Sequence, residues 1–177
     1  LLISRRELSN MAHHDALTGL PNRNLLDDRL ERLILQAERT HATVAVCMLD
    51  LDGFKPINDS LGHDIGDEVL KEVAQRIGHA VRASDTVARF GGDEFVILVN
   101  EIEAEHALTH LLNRVIEAIA EPMPSVGPMR VHASLGVSIW GLDASDATTL
   151  MRHADEAMYR SKAAGGNRFT VYSPSPV

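Results

Sequence analysis

The chain has 177 residues, 45% of them hydrophobic, which is enough for one domain with a packed core and too few for two large domains. Its formal net charge of −8 gives no electrostatic basis for binding a nucleic acid polymer, so that class of partner is excluded. No apolar run approaches the ~20 residues of a membrane span, and the first residues do not resemble a signal peptide, so this fragment is expected to make no membrane contact.

The cysteine content and the first residue carry two further expectations. Cys47 is the only cysteine and lies in an apolar run, which excludes an internal disulfide and is typical of a cytoplasmic protein. Because the sequence begins with Leu1 rather than Met, we expect it to be part of a longer protein. A membrane anchor elsewhere in that protein stays open.

Apolar residues recur with helical spacing in five segments and form β-type runs in five others. In chain order, the predicted elements are a helix over residues 1–14, a helix over 23–39, a strand over 43–49, a helix over 64–83, strands over 87–90 and 95–99, a helix over 103–120, a strand over 131–140, a helix over 146–163 and a strand over 168–172. Residues 53–62 are predicted to form a polar loop, and the Ser and Pro residues of 173–177 predict the start of a linker.

Without its ends, this order is β-α-β-β-α-β, the ferredoxin-like arrangement of the α+β class, with an extra helix and strand at the C-terminus. We expect one domain over residues 15–172, preceded by a signalling or linker helix over 1–14. In this topology the first strand neighbours the hairpin formed by the next two strands. Asp50, at the end of the first strand, should therefore lie close to Asp93 and Glu94 in the hairpin turn.

The hairpin turn presents two adjacent carboxylates, Asp93 and Glu94, behind Gly91 and Gly92. Glycine takes positive φ without steric cost, so two glycines between β-type runs are typical of a tight turn. A solvated acidic turn is the simpler interpretation of this stretch alone. Together with Asp50, however, the carboxylates would form an oxygen-rich site suited to Mg²⁺, which commonly brings substrate phosphates with it.

The full set of motifs resembles the GGDEF family of diguanylate cyclases, over almost the whole chain from residue 15 to residue 172. The signature GGDEF is intact at residues 91–95. The supporting motifs are DALTGLPNR at 15–23, DLDGFKPIND at 50–59, GHDIGD at 62–67 and ADEAMY at 154–159, followed by Lys162.

The resemblance implies a palm-type nucleotidyl cyclase domain, with a central antiparallel sheet flanked by helices, that condenses two GTP molecules into the bacterial second messenger cyclic di-GMP and releases two pyrophosphates. Each subunit of a homodimer would hold one GTP. Asp50, the Leu51 carbonyl, Asp93 and Glu94 match positions that bind Mg²⁺ or Mn²⁺. Glu94 also matches a carboxylate assigned to deprotonating the 3′-hydroxyl, and whether Asp93 or Glu94 handles that proton stays open.

The resemblance also assigns a GTP-binding set. Asn58 and Asp67 match guanine-reading positions, although a loop-organising Asn and a helix-capping Asp are the simpler interpretation of their spacing alone. The other matching positions are Phe54, Lys55, His63, Gly91, Gly92 and Lys162, the last of which corresponds to a γ-phosphate ligand. The family commonly has an Arg where this chain has Gly166, and Arg168 is expected to substitute for it, with weaker GTP binding.

Arg82 and Asp85 fit the RxxD inhibitory site of the family, which binds the cyclic di-GMP product and allows feedback. An ordinary helix-end ion pair is the alternative. For the whole domain, the alternative function is an inactive or weak GTP-binding regulatory module. It would control an attached domain, such as an EAL phosphodiesterase beyond residue 177, whereas the first hypothesis places an upstream sensor before residue 1.

Overall fold

The computed structural model describes residues 2–142, 144 and 146–174. In chain order, the elements are α1 (Arg5–His13), α2 (Arg23–Thr40), β1 (Ala45–Asp52), α3 (Phe54–Leu61), α4 (His63–Ala80), β2 (Thr86–Gly91), β3 (Glu94–Val99), α5 (Glu105–Ala120), β4 (His132–Ile139), α6 (Ala147–Ala163) and β5 (Arg168–Val171). A single 3-10 turn, Pro124–Val126, follows α5.

The strands form one sheet in the spatial order β2-β3-β1-β4-β5. The central strand β1 pairs antiparallel with both β3 and β4, β2 pairs antiparallel with β3, and β5 runs parallel to β4. This order is the one that the β-α-β-β-α-β sequence of elements predicts, with α6 and β5 as the C-terminal addition. The α+β fold class is therefore confirmed.

Helices cover both faces of the sheet, and successive side chains of β1 alternate between the two apolar clusters that result. Cys47 and Leu49 point into the larger cluster, which includes the buried residues of α4 and α5. Val46 and Met48 point into the second cluster, with the buried residues of α2 and α6. A strand with both faces covered must be apolar throughout, which explains the continuous hydrophobic run. Full burial of Cys47 also raises the pKa of its thiol.

The prediction of a polar loop over residues 53–62 is wrong, because Phe54–Leu61 form helix α3. The helix buries only Phe54 and Ile57, too few residues for a helical period to stand out. Pro56 lies in its first turn, where a backbone N–H would have no helical partner. The predicted helix over 64–83 also ends earlier, at Ala80.

Helix α1 adds no buried side chain to the core. Helix α1 begins with a capping box between Ser4 and Glu7 and buries no residue, and Leu8 and Met11 on it are exposed. Two parts of the predicted elements lie outside the described residues: Leu1, where the predicted N-terminal helix begins, and residues 175–177, where the predicted linker ends. Within the described part of the chain, no helix is both long enough and apolar enough to cross a membrane.

Gly136 in β4 sets the distance between the sheet and α6. A Cβ atom at this position would lie 2.0 Å from the backbone nitrogen of Met158 and 2.1 Å from the carbonyl oxygen of Ala154. The backbone of α6 therefore rests directly on β4, with no room for a side chain. This close approach brings the C-terminal end of α6 over the end of β1.

We expect Gly136→Ala to lower the free energy of unfolding by about 3 kcal/mol or more, because the added methyl group can fit only if α6 moves away from the sheet. Urea-induced unfolding followed by circular dichroism measures the change. The matched control is Gly78→Ala in α4, where a Cβ atom meets nothing within 4 Å. It should gain about 0.5–1 kcal/mol from the better helix propensity of Ala. Equal stability of the two variants would contradict the prediction.

Candidate active site

Carboxylates gather where β1 meets β3. The antiparallel register places Asp50 directly opposite Glu94, and the Leu51 N–H donates to the Asp93 carbonyl oxygen at 3.3 Å. Paired residues project from the same face of a sheet, so the carboxylates of Asp50 and Glu94 share the face that α2 and α6 cover. The expected proximity of Asp50 to Asp93 and Glu94 is thus confirmed by the strand register.

One ammonium group lies among these carboxylates. Lys162, near the end of α6, has its Nζ 3.3 Å from Asp50 Oδ2 and 3.4 Å from Asp52 Oδ1. Burial lowers the pKa of Lys162, but the charges of Asp50 and Asp52 outweigh that effect and raise it. Lys162 is therefore a firmly protonated cation that bridges both carboxylates of β1.

The negative charge exceeds what Lys162 neutralises. Burial, followed by the charge of Asp93, raises the pKa of Asp50 to about 6 despite Lys162. Burial, Asp155 and Asp93 likewise raise the pKa of Glu94, against Arg23 and Lys162. A raised carboxyl pKa means that the charged form is destabilised in these surroundings, and an additional cation would stabilise it.

Asp50 offers a free ligand atom for such a cation. Its Oδ1 is buried and has no hydrogen-bond partner among the described residues. The residues present therefore fit a divalent cation, since oxygen donors suit Mg²⁺ and Mn²⁺. In the described part of the chain, however, no three His, Cys, Asp or Glu side chains already converge as a metal site. The ligand set Asp50, Leu51, Asp93 and Glu94 stays a prediction.

Arg89 holds the glycine turn in place. Its Nε and Nη2 donate to the Gly92 carbonyl oxygen at 3.0 and 2.8 Å, and its Nη1 lies 3.1 Å from Asp15 Oδ1. Burial raises the pKa of Asp15, but hydrogen bonds from Thr18 and the Arg89 guanidinium outweigh it and hold that pKa below its usual range. The segment before α2 thus braces the turn that carries Gly91 and Asp93.

The two predicted guanine-reading residues lie on helices that pack together. Asn58 is near the end of α3, and its Oδ1 is buried with no hydrogen-bond partner in the described residues. Asp67 is exposed in the early turns of α4. Between them, Gly66 allows the close approach, because a Cβ atom there would lie 1.8 Å from Asn58 Oδ1 and 3.4 Å from the Phe54 ring.

The remaining predicted nucleotide contacts divide into buried and exposed groups. Phe54 is buried in the core beneath Gly66, so its role in this conformation is packing. Lys55, His63, Gly91 and Gly92 are exposed.

Arg168 reaches the turn that contains Gly166. Its Nε donates to the Gly166 carbonyl oxygen at 3.0 Å. Gly166 itself has φ +74°, which disfavours other residues, and a Cβ atom there would lie 2.6 Å from Asp52 Oδ2, so a side chain would require the carboxylate to move. Arg168, two residues after Gly166, therefore places a guanidinium at this turn.

Arg82 and Asp85 form a closed ion pair in the turn after α4. Arg82 donates from Nε and Nη2 to Asp85 at 3.3 and 3.1 Å, and the Asp85 side chain is fully buried. Asp85 also accepts from the Asn100 N–H at 3.1 Å, and Arg82 Nη2 donates to the Asn100 carbonyl oxygen. The ion-pair alternative is thus realised in the free chain, while Arg82 stays partly exposed.

A cavity of about 480 Å³ opens beside Arg82. Two His residues, His106 and His110, and a second arginine, Arg114, line it together with Glu103. Arg114 is fixed by a 2.7 Å hydrogen bond from its Nε to the Ala80 carbonyl oxygen. In a chain of net charge −8, this is a local concentration of basic groups suited to an anionic ligand.

Sequence reasoning missed several residues around the site. Arg23 stacks on Phe90 at 3.8 Å from the ring centroid, and the Ser134 hydroxyl donates to the Asp52 carboxylate. Arg23 and Asp52 lie in recognised motifs and could have been noticed. Ser134 and Arg114 are brought in by strand register and helix packing, for which the sequence carries no local signal.

Comparison with known proteins identifies relatives of the whole chain. A family model described as “Diguanylate cyclase, GGDEF domain” matches residues 12–168. MucR, a bifunctional diguanylate cyclase/cyclic di-GMP phosphodiesterase from Pseudomonas aeruginosa, is 46% identical over 97% of this chain. NbdA, a cyclic di-GMP phosphodiesterase from the same organism, is 40% identical over 94% of it. The chain spans only 25% of MucR and 21% of NbdA.

Solved structures show the same fold. The GGDEF domain of TpbB from Pseudomonas aeruginosa has a TM-score of 0.86 and 34% identity, covering 91% of this chain and 95% of that one. The coiled coil and GGDEF domain of DgcB from Caulobacter crescentus, solved in complex with c-di-GMP, has a TM-score of 0.85 and 31% identity, covering 94% and 88% of the two chains.

We expect Asp50→Asn to stabilise the metal-free protein above pH 6 and to leave its stability unchanged below pH 4. The pKa of Asp50 is about 6 in the folded chain, against about 4 for an unfolded Asp. The wild type therefore loses stability as the pH rises between these values, and the Asn variant does not. Because water screens a partly exposed carboxyl, we expect a gain of about 1 kcal/mol.

Urea unfolding with EDTA at pH 4 and pH 7.5 measures this difference. Asp59→Asn, at an exposed position of α3, is the control and should change stability by less than about 0.5 kcal/mol at either pH. A gain from Asp50→Asn that is equal at both pH values would contradict the electrostatic explanation.

Proposed function

The chain belongs to the GGDEF domain family, and from this membership we propose that it is a diguanylate cyclase that converts two GTP into cyclic di-GMP and two pyrophosphates. The observation that carries the proposal is the placement of Asp50 opposite Glu94, beside Lys162, with one Asp50 oxygen unpartnered within the described residues. Phosphoryl transfer depends on positioning and on neutralising phosphate charge, and this end of the sheet has the groups for both.

In the proposed site, Asp50, the Leu51 carbonyl, Asp93 and Glu94 would hold Mg²⁺ or Mn²⁺. When bound, the metal supplies neutralisation of phosphate charge and lowers the pKa of the attacking hydroxyl. Lys162 would then exchange Asp50 for a terminal phosphate oxygen of GTP. The Lys162 ammonium is placed for this exchange because it lies at the edge of the cluster of carboxylates and is partly exposed.

The reaction forms one bond and breaks one bond on each GTP. The 3′-oxygen of one GTP bonds to the α-phosphorus of the GTP facing it, and the bond from that phosphorus to the β-phosphate bridging oxygen breaks to release pyrophosphate. Glu94 is suited to take the 3′-hydroxyl proton, since it is a carboxylate directly opposite Asp50 at the end of the sheet where the nucleotide would bind. Asp93 is the alternative acceptor of this proton.

Guanine recognition is proposed at Asn58 and Asp67. The buried, unpartnered Oδ1 of Asn58 is an acceptor that a donor on the base can satisfy. The Asp67 carboxylate would accept from the N1–H and exocyclic amine, groups that adenine does not present in the same arrangement. A site that leaves a buried oxygen unpaired with the wrong base discriminates strongly against it.

A homodimer is required by the proposed reaction, because one domain holds only one of the two GTP molecules. Helix α1 supports such an arrangement, since Leu8 and Met11 are exposed on it and contribute nothing to the core of this domain. An upstream sensor acting through α1 would then control how often two sites face each other.

Feedback by the product is proposed at Arg82 and Asp85. The ion pair would have to open before Asp85 could accept a hydrogen bond from a guanine base. The exposed part of Arg82 and the neighbouring Arg114 could bind the phosphates of the product. The 480 Å³ cavity beside Arg82 supports this assignment because a bulky anionic ligand needs space next to its charged contacts.

A second candidate function is a GTP-binding regulatory module attached to a phosphodiesterase. One relative, NbdA, is named as a cyclic di-GMP phosphodiesterase, and Gly166 replaces the phosphate-binding Arg common in the family. Incubating the domain with GTP and Mg²⁺ at high protein concentration, followed by nucleotide chromatography, separates the two candidates. GTP binding without any product would favour the regulatory module.

We expect Glu94→Gln to reduce cyclic di-GMP formation by at least about 100-fold, because the amide can neither accept the proton nor carry the charge of the carboxylate. Product is quantified by chromatography, and unfolding in urea checks that the fold is intact. The control, Glu38→Gln on the exposed side of α2, should retain full activity. Activity within tenfold of the wild type would argue against a catalytic role for Glu94.

We expect Arg82→Ala to weaken product inhibition at least tenfold while the uninhibited rate changes less than twofold. The reason is that the variant removes a charge-assisted contact outside the Asp50–Glu94 site. Initial rates at increasing cyclic di-GMP give the inhibition constant. Arg32→Ala, which removes an exposed arginine paired with Asp28, is the matched control. An unchanged inhibition curve would exclude Arg82 from the inhibitory site.

A further inference from the structure

Asp52 lies two residues beyond Asp50 on the same face of β1, yet its surroundings differ. Its carboxylate has three donors: the Ser134 hydroxyl, whose Oγ lies 2.9 and 2.8 Å from the two carboxylate oxygens, the Asn167 N–H at 3.0 Å, and Lys162 Nζ at 3.4 Å. Asp50, by contrast, has one oxygen without a partner among the described residues. Asp52 is therefore already satisfied by the protein itself.

Ser134 fixes the orientation of that carboxylate. The side chain is fully buried on β4, in register with Asp50 of β1, and its hydroxyl bridges both oxygens of Asp52. A buried hydroxyl beside a carboxylate cannot turn to water, so the contact is held by the packing of the two strands. The sheet thus determines where the Asp52 charge points.

Asp52 in turn organises the turn between α6 and β5. It accepts from the Asn167 N–H, and the positive φ of Gly166 lets the backbone pass so close that a Cβ atom would lie 2.6 Å from Asp52 Oδ2. Lys162 enters the same contact from the last turn of α6. The Asp52 carboxylate therefore holds both the Lys162 ammonium and the turn between α6 and β5.

We infer that Asp52, oriented by Ser134, is a positioning residue that sets Lys162 for the terminal phosphate of GTP. The inference rests on the proposed function, since it concerns the same site. When Lys162 gives up Asp50 to bind phosphate, Asp52 keeps the second side of the ammonium in place. A lysine held at one point loses less rotamer freedom on binding than a free one. The pair Ser134–Asp52 therefore contributes to the preference for a triphosphate over a diphosphate.

The test compares the affinities of 3′-deoxy-GTP and 3′-deoxy-GDP, which cannot cyclise, by titration calorimetry with Mg²⁺. Ser134→Ala should lower the ratio of the two affinities by about three- to tenfold, the effect of one lost hydrogen bond. The matched control is Ser138→Ala. Ser138 is equally buried on the same strand, but its hydroxyl has no partner within the described residues, so the ratio should change less than twofold.

A second pair of variants distinguishes positioning from general damage. In a Lys162→Met background, Ser134→Ala should have no further effect on the affinity ratio, because the residue through which it acts is gone. An unchanged ratio in Ser134→Ala alone would overturn the inference. An equal fall with and without Lys162 would overturn it as well.

Hydrogen exchange of the Asn167 amide, followed by NMR, tests the contact without nucleotide. We expect exchange to accelerate at least threefold in Ser134→Ala and not in Ser138→Ala, because only the former frees the carboxylate that accepts from this amide. Equal rates would overturn the inference. A chain that shows these binding ratios but makes no cyclic di-GMP would refute the proposed activity and leave the positioning role standing.

Discussion

Excess negative charge at the end of β1 is the constraint on which the site depends. Asp50 and Asp52 share the single ammonium of Lys162, and Asp93 and Glu94 add charge from the neighbouring strand. Burying carboxylates without full compensation costs free energy, which appears here as raised pKa values for Asp50 and Glu94. This excess charge therefore lowers the stability of the chain at neutral pH, and a cation bound beside these carboxylates would offset that cost. Under the proposed function, the same excess of negative charge would contribute to the affinity for a divalent metal and its nucleotide.

The rest of the fold keeps this charge in a fixed geometry. β1 is paired on both sides and covered on both faces, so its end cannot shift to separate the carboxylates. Gly136 lets the backbone of α6 lie against β4, and from the end of that helix Lys162 reaches Asp50 and Asp52. On the other side, Arg89 ties the Gly92 carbonyl to Asp15, which limits movement of the turn that carries Asp93. Packing of the rest of the domain thus offsets the free energy that it costs to hold these carboxylates together.

The sequence predicted the fold and the gathering of Asp50, Asp93 and Glu94, because the order of strands alone determines which of them are neighbours. It did not predict α3, since a helix with only Phe54 and Ile57 buried shows too little periodicity among polar residues. The contact of Ser134 with Asp52 was equally hidden. It joins residues 82 positions apart and depends on a register in which a shift of one residue would turn Ser134 to the opposite face. Site residues fixed by local motifs are readable from sequence, whereas those fixed by register are not.

Gly166 illustrates how a departure from a family pattern can follow from a neighbouring contact. Its positive φ disfavours the Arg common at this position, and restoring that Arg alone would displace the Asp52 carboxylate that contacts Lys162. Arg168 instead lays its guanidinium on the turn from the start of β5, with Nε bonded to the Gly166 carbonyl. The positive charge is retained while the turn stays tight against Asp52. Gly166 therefore allows both Lys162 and Arg168 to lie beside Asp52 and this turn. Its presence is no argument by itself against nucleotide binding.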